Sequence, residues 1–536
     1  MDNYDGLSLI YPKGYDRTTE KKMSDFGFVT DLQIDDMIIL KTDRFRGFSQ
    51  LDLKNFFTCD ENVISYRLAV IGDIIENEVL YNTFLSAIPK IMNINDMRKV
   101  LSADHTVESA LSSVRYLEMY IEMVELFGDA FEKVNVESEG LKELVLLLSD
   151  IRQSDDYKNL KVNLGKLERN FGTVKSVTIG VNLDENLRPA LAGVISVNET
   201  PFHAGNIMDK LLGRTGEDSR ALMTPLYPLT HGLHGEETRT FNMNMQSALF
   251  TIFQKTIKDF EPKTQNYYSE NTAIFISLLD DIRFLTAGAT FVLRMREQGY
   301  KMTKPVAHPM EEKVFALKNV YNPGLAIHSG GDTLVSNDVT FDDKGRFYIV
   351  TGPNHGGKSI FCYSIGMAQA LFQLGLYVPA ESAEMSPVSD IYTHFPTSDE
   401  DNYGKGRLES ECARLGAIME KLNDNAMLLM DETFSSTSGL EAGYIASEVL
   451  TAIGVIGCCG IYVTHIHDLP EHVEEYNSYP GNRTKIDNLV ALMEDKESGK
   501  RSYRIVREKP DGLSYARDIA ERYGLNLEKI IKRPSF

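Results

Sequence analysis

Phe347-Tyr348-Ile349-Val350-Thr351-Gly352-Pro353-Asn354-His355-Gly356-Gly357-Lys358-Ser359 is a short apolar run feeding a glycine-rich turn that ends in Lys-Ser. This is the sequence form of a phosphate-binding P-loop, and it makes nucleotide binding the first expectation. Gly352 and Gly357 bracket Pro353, Asn354, His355 and Gly356, and glycine reaches positive φ without a Cβ clash, so the backbone can curl around a polyphosphate. Lys358 would reach the β and γ phosphates of ATP as a point charge. Ser359 would present a hydroxyl to Mg²⁺ while opening a helix whose N-terminal dipole also favours the anion. Ile360 to Leu374 carry apolar positions at helical spacing and no proline, which supplies the strand, loop and helix context the motif requires.

Two later strands point to the same chemistry. Met427-Leu428-Leu429-Met430-Asp431-Glu432 reads as a buried strand ending in two carboxylates. Asp431 would hold the Mg²⁺ shell and Glu432 would orient or deprotonate an attacking water. Taken alone, an apolar run followed by two acids is equally a strand end with a solvated turn; some seventy residues after a P-loop, the catalytic reading is favoured. Gly460-Ile461-Tyr462-Val463-Thr464 ends at His465, at the carboxyl end of a strand, where ligands bind in open α/β sheets. His467 and the acidic stretch that follows could be read as a metal site, but two alternating histidines beside a turn are more often surface residues.

The chain has 536 residues, with 56 basic against 77 acidic side chains and a formal charge of −21. That balance argues against whole-surface binding to nucleic acid while leaving room for a local basic groove. No run of about eighteen apolar residues is evident and Met1-Asp2-Asn3-Tyr4-Asp5 has no export signature, so a soluble, cytoplasmic protein with no membrane partner is expected. Cys59, Cys362, Cys412, Cys458 and Cys459 have neither disulfide-framework nor zinc-ligand spacing and are expected as buried thiols.

The pattern divides into unlike halves. Up to about Gly299, long helical segments dominate: Val63 to Ile88, Val107 to Phe127, Leu141 to Arg152, Thr240 to Phe260 and Thr272 to Arg296. In the second, Leu111, Val114, Leu117, Ile121 and Val124 form one apolar face. The last would extend about 35 to 40 Å as a lever. Ser176 to Val181 and Leu191 to Val197 read as a β-hairpin with a long loop. Gly205 to Glu237 reads as a connector, and Lys301 to Pro309, with Pro305 and Pro309, as a hinge. From Val314 onward, β-rich runs alternate with helices, which suggests a largely parallel sheet covered by helices.

The order of P-loop, strand ending Asp-Glu and strand ending Thr-His is that of ABC-class ATPases, and the residues resemble a narrower group. Gly352 to Ser359 looks like the Gly-Pro-Asn-x-Gly-Gly-Lys-Ser loop of the MutS family of DNA mismatch-repair ATPases. Tyr377-Val378-Pro379-Ala380, Leu428 to Glu432, Thr464-His465 and Gly512 to Ala520 are similar to further motifs of that family, and Ser65 to Ile71 to the start of its lever region. The resemblance implies a mixed fold: an uncertain segment over 1–50, a mostly α core or lever domain over 51–300, and an α/β P-loop ATPase domain over 301–536. It also implies ATP and Mg²⁺ as cofactors, DNA as partner, and a homodimer with composite ATP sites.

Two departures qualify the resemblance. The family's spacing places Gly406 where a signature serine contacts the partner's ATP; Lys405, Arg407 or Ser410 could substitute, or the basic turn could simply be solvated. No Phe-x-Glu, the family's mismatch-reading wedge, occurs in the sequence. The expectation is therefore a MutS-like ATPase that clamps DNA with helical arms without that wedge. Lys158, Lys161, Lys166, Arg169 and Lys175 are candidate phosphate contacts or a solvated face. The alternative is an ATP-switched module that grips a protein. Paired Asp431-Glu432 argues against a kinase, and the transporter signature Leu-Ser-Gly-Gly-Gln is missing.

Overall fold

The computed structural model describes residues 6–39, 51–100, 107–172, 174–187, 189–202, 244–245, 247–248, 251–252, 272–328, 334–396, 406–495 and 500–510. The expected connector, most of the expected helix from Thr240 to Phe260, Lys405 and the stretch from Gly512 to Ala520 lie outside them. The chain forms two compact units that cut across the linear division into 1–50, 51–300 and 301–536. One comprises Met1–Asn82, Val136–Lys142 and Asp280–Phe536, the other Thr83–Asn135 and Glu143–Leu279.

The first unit is a mixed α/β body with helices from the N-terminal half. Its strands are β3 (Val306–Ala307), β4 (Phe315–Val320), β5 (Asn337–Phe341), β6 (Phe347–Thr351), β7 (Ser382–Met385), β8 (Ile391–His394), β9 (Met427–Asp431), β10 (Cys459–Val463), β11 (Ile486–Asp495) and β12 (Lys500–Val506); β1 and β2 belong to the second unit. Six form one sheet in the order β12-β11-β6-β10-β9-β8, parallel throughout except for the outer β11–β12 pair. Every residue of β6, β9 and β10 is buried, as strands covered on both faces require. The other sheet, β3-β7-β4-β5, is mainly antiparallel, so the largely parallel expectation holds for the larger sheet alone.

Several sequence expectations are corrected by tertiary packing. The helix expected from Val63 to Ile88 is two, Glu61–Glu76 and Glu78–Val100, because Asn77 is extended and its side chain donates to the Asp73 carbonyl at 2.9 Å. The second continues through Pro89. The expected lever is likewise two helices, Thr272–Ser277 and Leu279–Glu297. The expected hinge is pinned in place: Thr303 and Val378 exchange backbone hydrogen bonds of 3.0 and 2.9 Å, and Val306–Ala307 pairs with β7. Prolines at a sheet edge forfeit no ladder bond, so Pro305 marks an edge rather than a joint.

Residues 6–39 are part of the core, with Leu9, Phe28, Leu32, Ile34 and Ile38 buried. Thr393 Oγ1 on β8 donates to Asp31 Oδ2 at 2.5 Å, and the Ser24 amide and hydroxyl donate to Asp390 Oδ1. Among the described residues, the helix Gly439–Ile456 is long and apolar enough to cross a membrane by length and composition, where the sequence reading had found no such run. Its Ala442, Ala446, Leu450 and Ile453 pack in the core cluster with β9 and β10. Four cysteines are buried and Cys412 is half-buried.

In the second unit the helix Val107–Phe131 buries Val114, Leu117 and Val124, as its spacing predicts, along with Tyr116, Tyr120 and Phe127. Phe127 meets Phe84 edge-on and stacks on Phe275, with centroids 5.5 and 6.2 Å apart. The hairpin is present: β1 (Ser176–Leu183) pairs antiparallel with β2 (Pro189–Asn198). The helix Asp155–Gly172 carries much of the lysine accumulation, yet Lys161 Nζ is 2.8 Å from Glu125, which also pairs with Arg152.

Candidate active site

Three neighbouring strands bring the sequence candidates together. Val463 on β10 lies in register with Val350 on β6 and with Asp431 on β9, so the turns after all three strands leave the sheet at one edge. The glycine loop follows β6. Gly352 has φ +128°, and a Cβ there would fall 2.8 Å from the Ala491 carbonyl oxygen, so only glycine fits. Gly357 has φ +88° and lies against Tyr503. His355 also adopts positive φ, at +59°.

The loop opens the helix Lys358–Leu374. Lys358 is buried, and its Nζ donates to the carbonyls of Gly352 and Pro353, each at 3.0 Å. Burial pulls its pKa down, opposed by the charges of Glu432 and Asp431. Ser359 Oγ donates to Asp431 Oδ1 at 2.9 Å, and Tyr363 Oη to Asp431 Oδ2 at 3.0 Å. Burial raises the Asp431 pKa, while the hydrogen bonds from Ser359 and Tyr363 counter that rise by favouring the carboxylate.

Glu432 takes φ +49°, and its amide donates to the Val463 carbonyl at 2.9 Å. That geometry turns its side chain toward β10, where His465 Nε2 lies 2.6 Å from Glu432 Oε1. A carboxylate only accepts, so Nε2 carries the proton. A cavity of about 700 Å³ borders these groups: Asn354, His355, Gly356, Gly357, Lys358, Ser359, Glu432 and His465 line it, together with Val320, Leu325, Ile360 and Tyr503. Its lining mixes polar groups with apolar side chains, as small-molecule sites do.

Three contributors escaped the sequence reading. Tyr363 stands four residues after Ser359 and so shares its helical face, a signal that was legible. Tyr503 has φ +56° in a bulged part of β12, and Asn337 bonds to its carbonyl and to the Ile505 amide at 3.1 and 2.8 Å; no local pattern announces that long-range clasp. His394, at the end of β8, bonds through Nδ1 to Thr433 Oγ1 at 2.9 Å. Gly406 is the N-cap of the helix Arg407–Met419, with no side-chain cap. Arg407 and Ser410 line a small cleft with Asp431 and Glu432 of the same chain. His467 is exposed, and among the described residues no group of three or more His, Cys, Asp or Glu gathers to hold a metal.

Fold and site together define an α/β domain in which a glycine-rich loop, a lysine, a serine and two acids meet at one sheet edge, built into one body with helices from the chain's first third. The MutS2 N-terminal domain family matches residues 59–298, and the MutS domain V family matches residues 348–534. The chain belongs to the MutS family. It is 28% identical to the DNA mismatch repair protein MutS of Prochlorococcus marinus over 306 residues, 54% of this chain and 32% of that protein. It is 30% identical to the MutS of Thermosipho melanesiensis over 298 residues, covering 54% and 34%. With the DNA mismatch repair protein MSH2 of Saccharomyces cerevisiae, identity is 26% over 234 residues, 43% and 24% of the two chains. The chain thus spans about a third or less of the length of these curated relatives.

Proposed function

We propose that this chain is an ATPase that couples ATP binding and hydrolysis to the clamping of DNA by its helices, acting in the cytoplasm as a homodimer with composite ATP sites. The observation that carries the ATPase reading is the meeting of Lys358, Ser359, Asp431, Glu432 and His465 at one end of three parallel strands. Ser359 and Asp431 fit Mg²⁺, being hard oxygen donors that already touch each other beside the loop. The cation would be held there together with phosphate oxygens and would offset charge on the phosphates. Lys358 is placed to leave a loop carbonyl for the β and γ phosphates. Glu432 is placed to orient water and accept its proton as the water oxygen bonds to γ-phosphorus and the bond to the β–γ bridging oxygen breaks, giving ADP and phosphate. His465 holds Glu432 and is positioned to donate to the γ-phosphate.

DNA appears in the names of the relatives, DNA mismatch repair proteins, and it enters here as part of the proposal. A second reading, in which ATP switches the grip on a protein, is favoured by two observations in the second unit. Lys161 and Arg152 are engaged by Glu125, with Asp129 and Glu132 also on Arg152. The hairpin, in turn, exposes Val181, Leu183, Leu191 and Ile195. Fluorescence anisotropy of labelled homoduplex, mismatched and branched DNA, titrated with and without a slowly hydrolysed ATP analogue, separates the readings. The proposal expects salt-dependent binding that changes with nucleotide; no binding to any of the three at low salt moves the partner from DNA to protein.

A further inference from the structure

Resting on the ATP reading above, we propose that Tyr363 is a positioning residue for the metal-holding carboxylate: it keeps Asp431 tethered through Oδ2 while Ser359 offers its oxygen to the cation of a bound metal–nucleotide. Ser359 and Tyr363 are four residues apart on the helix Lys358–Leu374, so both reach from one face to the end of β9. Their hydroxyls divide the carboxylate between them, Ser359 on Oδ1 at 2.9 Å and Tyr363 on Oδ2 at 3.0 Å. Asp431 is 4% exposed, so these donors do what water does for an exposed acid.

The two donors are not equivalent. Ser359 is also the hydroxyl that the loop presents to a cation: a lone pair on its oxygen can meet the cation while its proton stays on Oδ1, so Ser359 serves two partners at once. Tyr363 has no such second task. Its ring packs tilted against Phe395, with centroids 4.4 Å apart and planes at 34°. Phe395 is itself fixed, because its carbonyl accepts from Arg414 Nη2 at 3.0 Å and it directly follows His394 at the end of β8. The Tyr363 phenol hydroxyl donates to Asp431 Oδ2, which as a carboxylate oxygen can only accept. Tyr363 therefore sets the angle at which Asp431 offers its remaining lone pairs, as outer-shell partners of metal ligands do elsewhere.

Tyr363→Phe removes the hydroxyl and retains the ring and its packing. Mn²⁺ binding to the ADP-saturated full chain, followed by electron paramagnetic resonance, should weaken about tenfold or more, while ADP affinity in EDTA, measured by equilibrium dialysis, stays unchanged. Equal Mn²⁺ affinity in the two proteins overturns the assignment. A parallel loss of metal-free ADP affinity also overturns it, since that marks a general structural role. Should the unaltered chain bind ADP in neither condition, the ATP reading fails and the assignment falls with it. If Tyr363→Phe does not fold, Phe395→Leu carries the same test: a metal-selective loss supports the role, and unchanged Mn²⁺ affinity contradicts it.

Discussion

His465 Nε2 donates to Glu432 Oε1 across 2.6 Å, joining the turn after β10 to the acid that ends β9. Both side chains are about two-fifths exposed, so the pair faces the cavity rather than the core. A nucleotide whose γ-phosphate reaches this corner competes for the imidazole proton, and Glu432 is then released toward water. His465→Ala should lower kcat about a hundredfold, with ATP affinity changed far less. Single-turnover rates beside equilibrium binding check this; a fall in affinity as large as the fall in rate would assign His465 to binding instead.

The loop makes a sharper steric prediction. Gly352 at φ +128° faces the Ala491 carbonyl, and the backbone of a neighbouring strand cannot move aside as a flexible side chain can. Gly352→Ala should abolish nucleotide binding while the chain stays folded, as isothermal titration and circular dichroism together would report. Retained affinity would mean that the loop tolerates a different path.

His394 carries a pH prediction. Burial, aided by the Arg414 charge, lowers its pKa from 6.5 to about 4, so the folded chain holds the neutral ring. Its contribution to stability is complete above the unfolded value of 6.5 and is lost as pH falls from there through about 4. The total is about 3 kcal/mol. Urea midpoints at pH 7 and pH 4.5 should therefore separate more in the unaltered chain than in His394→Asn; equal separations would remove His394 from acid unfolding.

How much of this was legible depends on range. The glycine loop, the Asp431-Glu432 strand end and the β1–β2 hairpin announce themselves within a dozen residues, because positive φ, buried strands and alternation are local properties. The pinning of Lys301 to Pro309 depends on partners far along the chain, Val378 and β7. So does the burial of residues 6–39 against β8. The apolar helix Gly439–Ile456 was overlooked because glycines, threonine and glutamates interrupt its run, although its inward stripe still serves the core. Counting lysines leaves Lys161 open between a phosphate contact and a solvated face, since charge alone does not reveal that Glu125 stands opposite.

Arg67 tests the long-range part of the fold. Its fully buried guanidinium donates to the carbonyls of Ile10 and Leu374 at 3.0 and 3.4 Å and to that of Phe56, joining the N-terminal segment to the end of the loop helix. Arg67→Ala leaves those acceptors without their donor and opens a cavity, and should cost about 3 kcal/mol or more in chemical denaturation. A cost below about 1 kcal/mol would show that the segment docks without it.

The most direct measurement is release of radiolabelled phosphate from [γ-³²P]ATP, in Mg²⁺, by the unaltered chain and by Glu432→Gln, with ATP retention on filters measured for both. The account predicts release by the unaltered chain and a loss of about a hundredfold or more in the variant, with ATP still held. Equal release by the two proteins, or no release and no retained ATP in either, would contradict it.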